Sequence, residues 1–233
     1  GPGVPLPAVL RLGRRGGGPG PRREDHTVSV TRSSQMGYGR AVPDGVALAP
    51  VVDEGASSGA TFSTLTNPDG DGINYRLAVF NASGALSVTT AGKAQVLVLG
   101  GGGAGNTYGG NGGRIALGEW LLPSGSLTVV VGAGAAGGTD SGSAQAGGYS
   151  SLNAPQIVGG GGGSGWNYMQ GAMAFYPNTG GYRTAYPSSI TGSSVDYGRG
   201  SQSGDSAPVA NRGMGSLPSG AGSSGVVIVR WAI

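Results

Sequence analysis

The residues that most resemble a chemical site are glycines that follow an apolar run. Val96–Leu99 precedes Gly100, Gly102 and Gly105, and this G-x-G-x-x-G spacing is typical of a strand and turn that hold a dinucleotide. Such a site needs a helix after the last glycine, because the helix N-terminus binds the pyrophosphate. Residues 106–113 include four glycines, and each disfavours a helix by about 1 kcal/mol relative to alanine. The sequence therefore argues against a nucleotide site.

Groups for catalysis or metal binding are scarce in this chain. It has no Cys and a single His, His26, which lies beside two acidic residues and is interpreted as solvated. Asn67, Asp69 and Asp71 could offer oxygen ligands to Ca²⁺. However, Pro68 and the absence of a glutamate break the spacing of a calcium loop, and Asn-Pro-Asp-Gly is typical of an ordinary turn. We predict no metal, no cofactor and no enzymatic activity.

Aromatic residues are concentrated between residues 166 and 197, which hold seven of the fifteen in the chain. Glycine and proline interrupt this stretch, and it lacks the alternation of a core strand. Tyrosine and tryptophan among small polar residues form good recognition surfaces, and their faces also suit sugars. The predicted receptor-binding residues are Trp166, Tyr168, Phe175, Tyr176, Tyr182, Tyr186 and Tyr197. The alternative is that these rings cap the glycine tracts or pack on neighbouring subunits.

The net positive charge comes from the N-terminal part of the chain. Residues 1–40 contain seven arginines and two acidic residues, although the whole chain has a net charge of only +3. Residues 1–24 are rich in Gly, Pro and Arg, and we predict an extended arm because they cannot bury enough apolar surface to fold. We expect this arm to grip other proteins rather than nucleic acid, because it lacks aromatic residues and a folded basic face. The predicted anchoring residues are Arg11, Arg14, Arg15, Arg22 and Arg23.

Short apolar runs separated by turn residues predict an all-β fold with a β-sandwich-like core. Ala94–Leu99 is continuously apolar, so we expect it to be buried on both faces. The other predicted strands are Tyr75–Phe80, Ala85–Thr89, Ile115–Leu122, Ser126–Val131 and Val226–Trp231, with a turn at Asn81–Gly84 between the first two. No apolar stretch reaches the ~18 residues of a membrane-spanning helix.

The predicted domain organisation has three parts. The arm is followed by a small β attachment region at residues 25–70, whose short strands include Thr27–Val30. The turn Asn67–Gly72 ends this region, and a glycine-rich β domain follows at residues 71–233.

Glycine makes up 52 of the 233 residues and is densest in three tracts. These are Gly100–Gly113, Gly132–Gly148 and Gly159–Gly165. One way to order such tracts is a bundle of extended helices with about three residues per turn, related to polyglycine II, which pack closely because they lack side chains. The alternative is that the tracts are disordered loops.

The order of the blocks resembles the glycine-rich domain of bacteriophage tail fibres, minor tail proteins and adhesins. The blocks are Tyr75–Gly84, Ala94–Gly103, Pro123–Gly134, Gly147–Leu152, Gly159–Gly163 and Gly222–Trp231, so the resemblance covers roughly residues 70–233. It implies a β core that carries polyglycine helices, with loops at the distal end that contact a host receptor. Because those loops vary, the resemblance assigns no individual binding residue.

The sequence thus favours a structural protein on the surface of a phage virion. The arm would attach it to other virion proteins, and its glycine-rich domain would bind a host-surface glycan or protein. We expect a homo-oligomer, with a trimer as one arrangement. The alternative is a capsid decoration or head-fibre protein with a purely structural role.

Overall fold

The computed structural model describes residues 48–105, 109–137, 145–153, 157–159, 161, 185–201 and 205–233. The predicted arm, its anchoring arginines and the predicted strand Thr27–Val30 lie outside these residues. The described residues contain strands and no helix, which confirms the prediction of an all-β fold. The strands are β1 Val51–Leu65, β2 Tyr75–Thr90, β3 Gly92–Leu99, β4 Ile115–Leu122, β5 Gly125–Val130, β6 Ser150–Leu152, β7 Ile157–Gly159, β8 Tyr186–Ser188, β9 Val195–Tyr197 and β10 Val226–Ala232.

A long antiparallel hairpin of β1 and β2 organises the sheet. The two strands are joined through the predicted turn at Asn67–Gly72 and pair from Leu65↔Tyr75 to Val51↔Thr90. The turn predicted at Asn81–Gly84 is wrong, because β2 continues through these residues as a single strand. The register of β1 shifts opposite this point, and such bulges bend a strand without ending it. Residues 51–65 of the predicted attachment region therefore belong to the same sheet as β2.

Eight strands form one sheet in the order β4-β3-β10-β2-β5-β6-β7, with β1 on the other edge of β2. Along β2, the first part, Tyr75–Phe80, pairs with β10, and the second part, Gly84–Val88, pairs with β5. The sheet therefore has two halves that share the β1–β2 hairpin. Strand β7 of the second half contacts β3 and β4 of the first, so the sheet nearly closes on itself. The two layers of the predicted sandwich are thus parts of one continuous sheet.

The first core lies between the two halves of the sheet. It is built from apolar side chains of both halves, including Phe80 and Val96 from the first and Leu127 and Leu152 from the second, all at most 3% exposed. Successive residues of a strand point to opposite faces, so every second residue of β3 faces this core. The intervening residue Leu97 lies in a second core, which confirms that the run is buried on both faces.

The second core covers the outer face of the first half-sheet. A short hairpin of β8 and β9 packs against this face and contributes Ile190 and Tyr197, each 4% exposed. The sheet contributes side chains from four strands, namely Leu77, Leu97, Leu99, Ile115, Val226 and Ile228. This half-sheet is therefore the middle layer of a three-layer arrangement.

The glycine tracts form a bundle of extended segments with a hydrogen-bond period of three. Gly100 and Gly103 donate their backbone N–H groups to the carbonyls of Arg114 and Asn111 at 3.1 and 2.8 Å. The next residues in each turn, Gly101 and Ala104, both donate to segment 145–148. Residues three apart thus bond to the same neighbour, as in helices with about three residues per turn.

The third residue of each turn in segment 100–105 bonds to the C-terminal part of the chain. Gly102 donates to the carbonyl of Ser223, and Gly105 donates to the hydroxyl of Ser216. All five amides from Gly101 to Gly105 in this buried segment therefore have partners on neighbouring segments. This period matches the polyglycine-II-type packing that the sequence predicted, and the described parts of the tracts are ordered rather than loop-like.

At many positions inside this bundle, only glycine fits. A Cβ atom on Gly101 would lie 2.0 Å from the carbonyl oxygen of Ala133, and one on Gly102 would lie 1.9 Å from that of Met214. Backbone atoms of neighbouring segments occupy these positions and cannot rotate away as a side chain could. The high glycine content is therefore a packing requirement of the fold.

Candidate functional site

The glycine bundle has one end at the sheet and one end remote from it. Gly100 follows β3 and bonds to Arg114, which precedes β4, so this level adjoins the sheet. Segments 100–105 and 109–114 then run antiparallel to each other. They come together again at the other end, where a Cβ on Gly105 would lie 2.2 Å from the Cα of Gly109. We call this end of the bundle the far end.

Several of the described glycine segments begin or end at the far end. Residues 106–108 are bounded by Gly105 and Gly109. Gln145, which follows residues 138–144, accepts a hydrogen bond from Ala104 at 2.9 Å. Ser201, which precedes residues 202–204, donates to Gly110 at 3.1 Å. A described turn at residues 217–220 lies at the same end, since a Cβ on Gly137 would approach Gly220 within 2.8 Å.

The described chain termini lie at the opposite end of the sheet. The first described residue, Leu48, accepts a hydrogen bond from Lys93 at 3.0 Å, and Lys93 lies at the beginning of β3. The last residue, Ile233, donates to Asn74 at 3.0 Å, beside the beginning of β2. Because β3 runs from this end toward the bundle, residues 48 and 233 lie on the side of the sheet away from the far end.

Most of the predicted receptor-binding residues cannot be placed. Trp166, Tyr168, Phe175, Tyr176 and Tyr182 lie outside the described residues. The described residues on either side of them are anchored on the bundle side of the sheet. Gly161 packs against segment 147–148, because its Cβ would lie 1.8 Å from the carbonyl oxygen of Gly147. Strand β8 begins at Tyr186, which pairs with Tyr197 directly before the bundle residue Gly198.

The structure corrects the assignment of Tyr197 to a recognition surface. Its ring is 4% exposed and packs in the second core, with the guanidinium carbon of Arg212 5.6 Å from the ring centroid. Burial raises the pKa of the Tyr197 hydroxyl above its ordinary value. Tyr186 is partly buried and packs against the same core. These two residues therefore belong to a core of the fold, which neither the recognition surface nor the alternative of capping the glycine tracts or packing on neighbouring subunits had predicted.

The polar side-chain oxygens of the turn at Asn67–Gly72 accept hydrogen bonds from nearby residues of the protein. Asn67 Oδ1 accepts the N–H of Gly72 at 2.7 Å, and Asp71 accepts the N–H of Ile73 and the hydroxyl of Tyr75 at 2.9 Å each. The hydrogen bond from Ile73 is the main cause that lowers the pKa of Asp71. Within the described ranges, no group of three or more His, Cys, Asp or Glu residues is arranged to hold a metal ion.

Among the described residues, no helix follows the G-x-G-x-x-G glycines. Gly100, Gly102 and Gly105 lie in the extended segment that follows β3, and their amides donate to the carbonyls of Arg114 and Ser223 and to the hydroxyl of Ser216. A pyrophosphate site needs such amides to be free and to converge at a helix N-terminus. This segment is therefore built to pack against backbone rather than to bind phosphate.

Sequence reasoning missed a polar cleft of about 390 Å³ on the outer face of the first half-sheet. Its floor includes Arg230, Gln95 and Glu119, which are neighbours across β10, β3 and β4. Arg230 is 2% exposed although it carries a charge. The signal in the sequence was this single charged residue inside the apolar run Val226–Trp231. The cleft lies beside the β8–β9 hairpin, at the end of the sheet away from the bundle.

Comparison with family models, curated proteins and solved structures gives no significant match for this chain. The fold and the geometry described above are therefore the basis for a functional assignment. Across the part of the chain that the structure describes, no helix has the length and apolar character needed to cross a bilayer.

Proposed function

We propose that this chain is a structural protein on the surface of a bacteriophage particle, and that its glycine-rich domain binds the host surface. The order of strand and glycine blocks, which resembles phage fibre and adhesin domains, supports the phage assignment. The residues before Leu48 would attach the chain to other virion proteins, and the particle would carry several copies. Binding rather than catalysis is the proposed activity.

The observation that carries this proposal is the placement of the described termini and the far end of the bundle on opposite sides of the sheet. Leu48 and Ile233 lie at one end of the sheet, and the far end of the glycine bundle lies on the other side. A protein attached through its N-terminal part would therefore hold the far end outward. The connections between the segments that begin or end at the far end, together with the stretch 162–184, are candidates for contact with a receptor.

The bundle suits this role because it is a rigid support. Its amides bond to backbone carbonyls on several sides, and at positions such as Gly101 and Gly102 its segments approach too closely to admit even a methyl group. Loops on a rigid scaffold lose less conformational entropy on binding than loops on a mobile one. A fold built in this way can present variable loops without altering its core.

The experiment is binding of the purified, fluorescently labelled full chain to intact bacterial cells, with competition against phage adsorption. The double variant Trp166→Ala/Tyr168→Ala tests the predicted aromatic surface. Tyr149→Ala is a matched control, because Tyr149 is a 58% exposed aromatic outside the stretch. Circular dichroism checks that each variant is folded.

We expect saturable binding that blocks adsorption, a loss of at least tenfold in affinity for the double variant, and no change for Tyr149→Ala. Unchanged binding by the folded double variant would place the contact outside Trp166 and Tyr168. A folded protein that binds no host cell would contradict the proposal and favour a decoration or head-fibre protein with a purely structural role.

A further inference from the structure

We infer that the cleft beside Arg230 binds a neutral saccharide residue. This site is separate from the far end of the bundle, and the inference does not depend on the proposed host-surface function. It is carried by the arrangement of the polar side chains that line the cleft, by their charge balance, and by the burial of Arg230.

The cleft has a polar floor because the β8–β9 hairpin covers only part of the half-sheet. On the outer face, the rows of residues nearest the bundle are apolar and are covered by the hairpin. The next row, Arg230↔Gln95↔Glu119, lies beyond the hairpin and is left as the floor. The surrounding residues come from the β1–β2 turn, β4 and the hairpin, namely Asp69, Leu117, Gly118, Ser188, Ser189 and Ile190.

Arg230 is held in one position at the floor. Its side chain is 2% exposed, it forms an ion pair with Asp69, and its guanidinium lies 3.8 Å from the ring centroid of Tyr75. Its Nε has no hydrogen-bond acceptor among the described residues. A buried arginine fixed by a carboxylate and an aromatic ring is preorganised, so little side-chain entropy remains to be lost on ligand binding.

The charges around the cleft are balanced in pairs. Arg230 is paired with Asp69, and Glu119 is paired with Lys93 at 2.6 Å. Each charged group of the lining therefore has an oppositely charged partner, and none is left unpaired to attract a phosphate, a carboxylate or a metal cation. This pairing favours a neutral ligand that binds through hydrogen bonds.

The remaining groups match a ligand with several hydroxyls. The Gln95 amide both donates and accepts, the Ser188 and Ser189 hydroxyls do the same, and the carboxylates accept. Leu117 and Ile190 offer apolar contact on the same cleft. A sugar ring combines adjacent hydroxyls with an apolar C–H face, and the cleft volume is within the range of small-molecule sites, about 300–1,000 Å³.

The test uses saturation-transfer difference NMR on the full chain with glucose, galactose and mannose, each titrated separately. Inorganic phosphate and acetate are titrated as anionic probes by chemical-shift changes. The variants are Gln95→Ala and the surface substitution Ser189→Ala. Matched controls are Asn81→Ala and Ser126→Ala, which remove an amide and a hydroxyl at exposed positions on β2 and β5, outside the cleft and the far end of the bundle.

We expect at least one hexose to bind saturably and its affinity to fall about tenfold in each cleft variant, as for the loss of one hydrogen bond to a ligand. The controls should bind like the unmodified chain. The inference is overturned if no hexose binds, if phosphate or acetate binds in the cleft instead, or if Ser189→Ala and a folded Gln95→Ala bind as the controls do. No cells are involved, so a negative result here leaves the host-surface proposal to its own experiment.

Discussion

At the scale of single residues, the fold depends on what glycine lacks. Gly102 lies in segment 100–105 with a carbonyl oxygen 1.9 Å from where its Cβ would be, whereas Gly55 on β1 is exposed and would place a Cβ no closer than 3.5 Å to Asp53. The same residue type is therefore indispensable at one position and replaceable at the other. Composition alone does not distinguish these two cases.

The substitution Gly102→Ala should destabilise the protein by about 1–3 kcal/mol or more, because the added methyl group overlaps backbone that cannot move aside. The control Gly55→Ala should change the free energy of unfolding by less than about 0.5 kcal/mol, as expected for an exposed site. Urea unfolding monitored by circular dichroism measures both. Equal effects of the two substitutions would contradict the close packing of the bundle.

At the scale of elements, the short β8–β9 hairpin closes the second core. Its two strands have three residues each, too few for an independent hairpin to be stable. Burial of Ile190 and Tyr197 against the half-sheet supplies the missing stabilisation. The hairpin also borders the cleft, so its packing determines where the polar floor is left open.

The substitution Ile190→Ala should release this hairpin before the rest of the sheet unfolds. Truncation of a buried isoleucine costs about 2–5 kcal/mol, which the short hairpin cannot replace from its own hydrogen bonds. Amide hydrogen exchange measured by mass spectrometry should accelerate in residues 186–197 and remain unchanged in β3 and β10. Val209→Ala is the control, since Val209 is 51% exposed. Uniform acceleration across all strands would show that the hairpin is not a separate unit.

At the scale of the whole molecule, the described residues have two different ends. The sheet lies between the described termini and the far end of the bundle, because β3 and β10 connect one side to the other. Attachment at one side therefore leaves the other side available for contact. This arrangement makes the proposed orientation on the particle testable by modification of each end.

A short peptide tag inserted between Pro218 and Ser219 should abolish host-cell binding, because this turn lies at the far end. The same tag fused after Ile233, which is 66% exposed at the other end, should leave binding intact. Binding of both labelled, folded proteins to cells is measured by flow cytometry. Binding that survives the inserted tag but not the C-terminal one would mean that the opposite end faces the host.

Much of the strand content was readable from the sequence because it follows from local patterns. Ile115–Leu122 was predicted with the bounds of β4, and the unbroken apolar run Ala94–Leu99 indicated a strand buried on both faces. The turn at Asn67–Gly72 followed from its residue types. The predicted break at Asn81–Gly84 failed because pairing with β1 across the bulges keeps these residues in a strand.

The sequence by itself determined the all-β class and the buried strands, because alternation acts locally, and it left the glycine tracts open between a packed bundle and disordered loops. Only the tertiary structure decided which segments pack together. The hydrogen bonds from Gly102 to Ser223 and the ion pair between Arg230 and Asp69 join residues remote in the chain. Burial of Tyr197 and the polar cleft follow from the same long-range pairings, which no local pattern encodes.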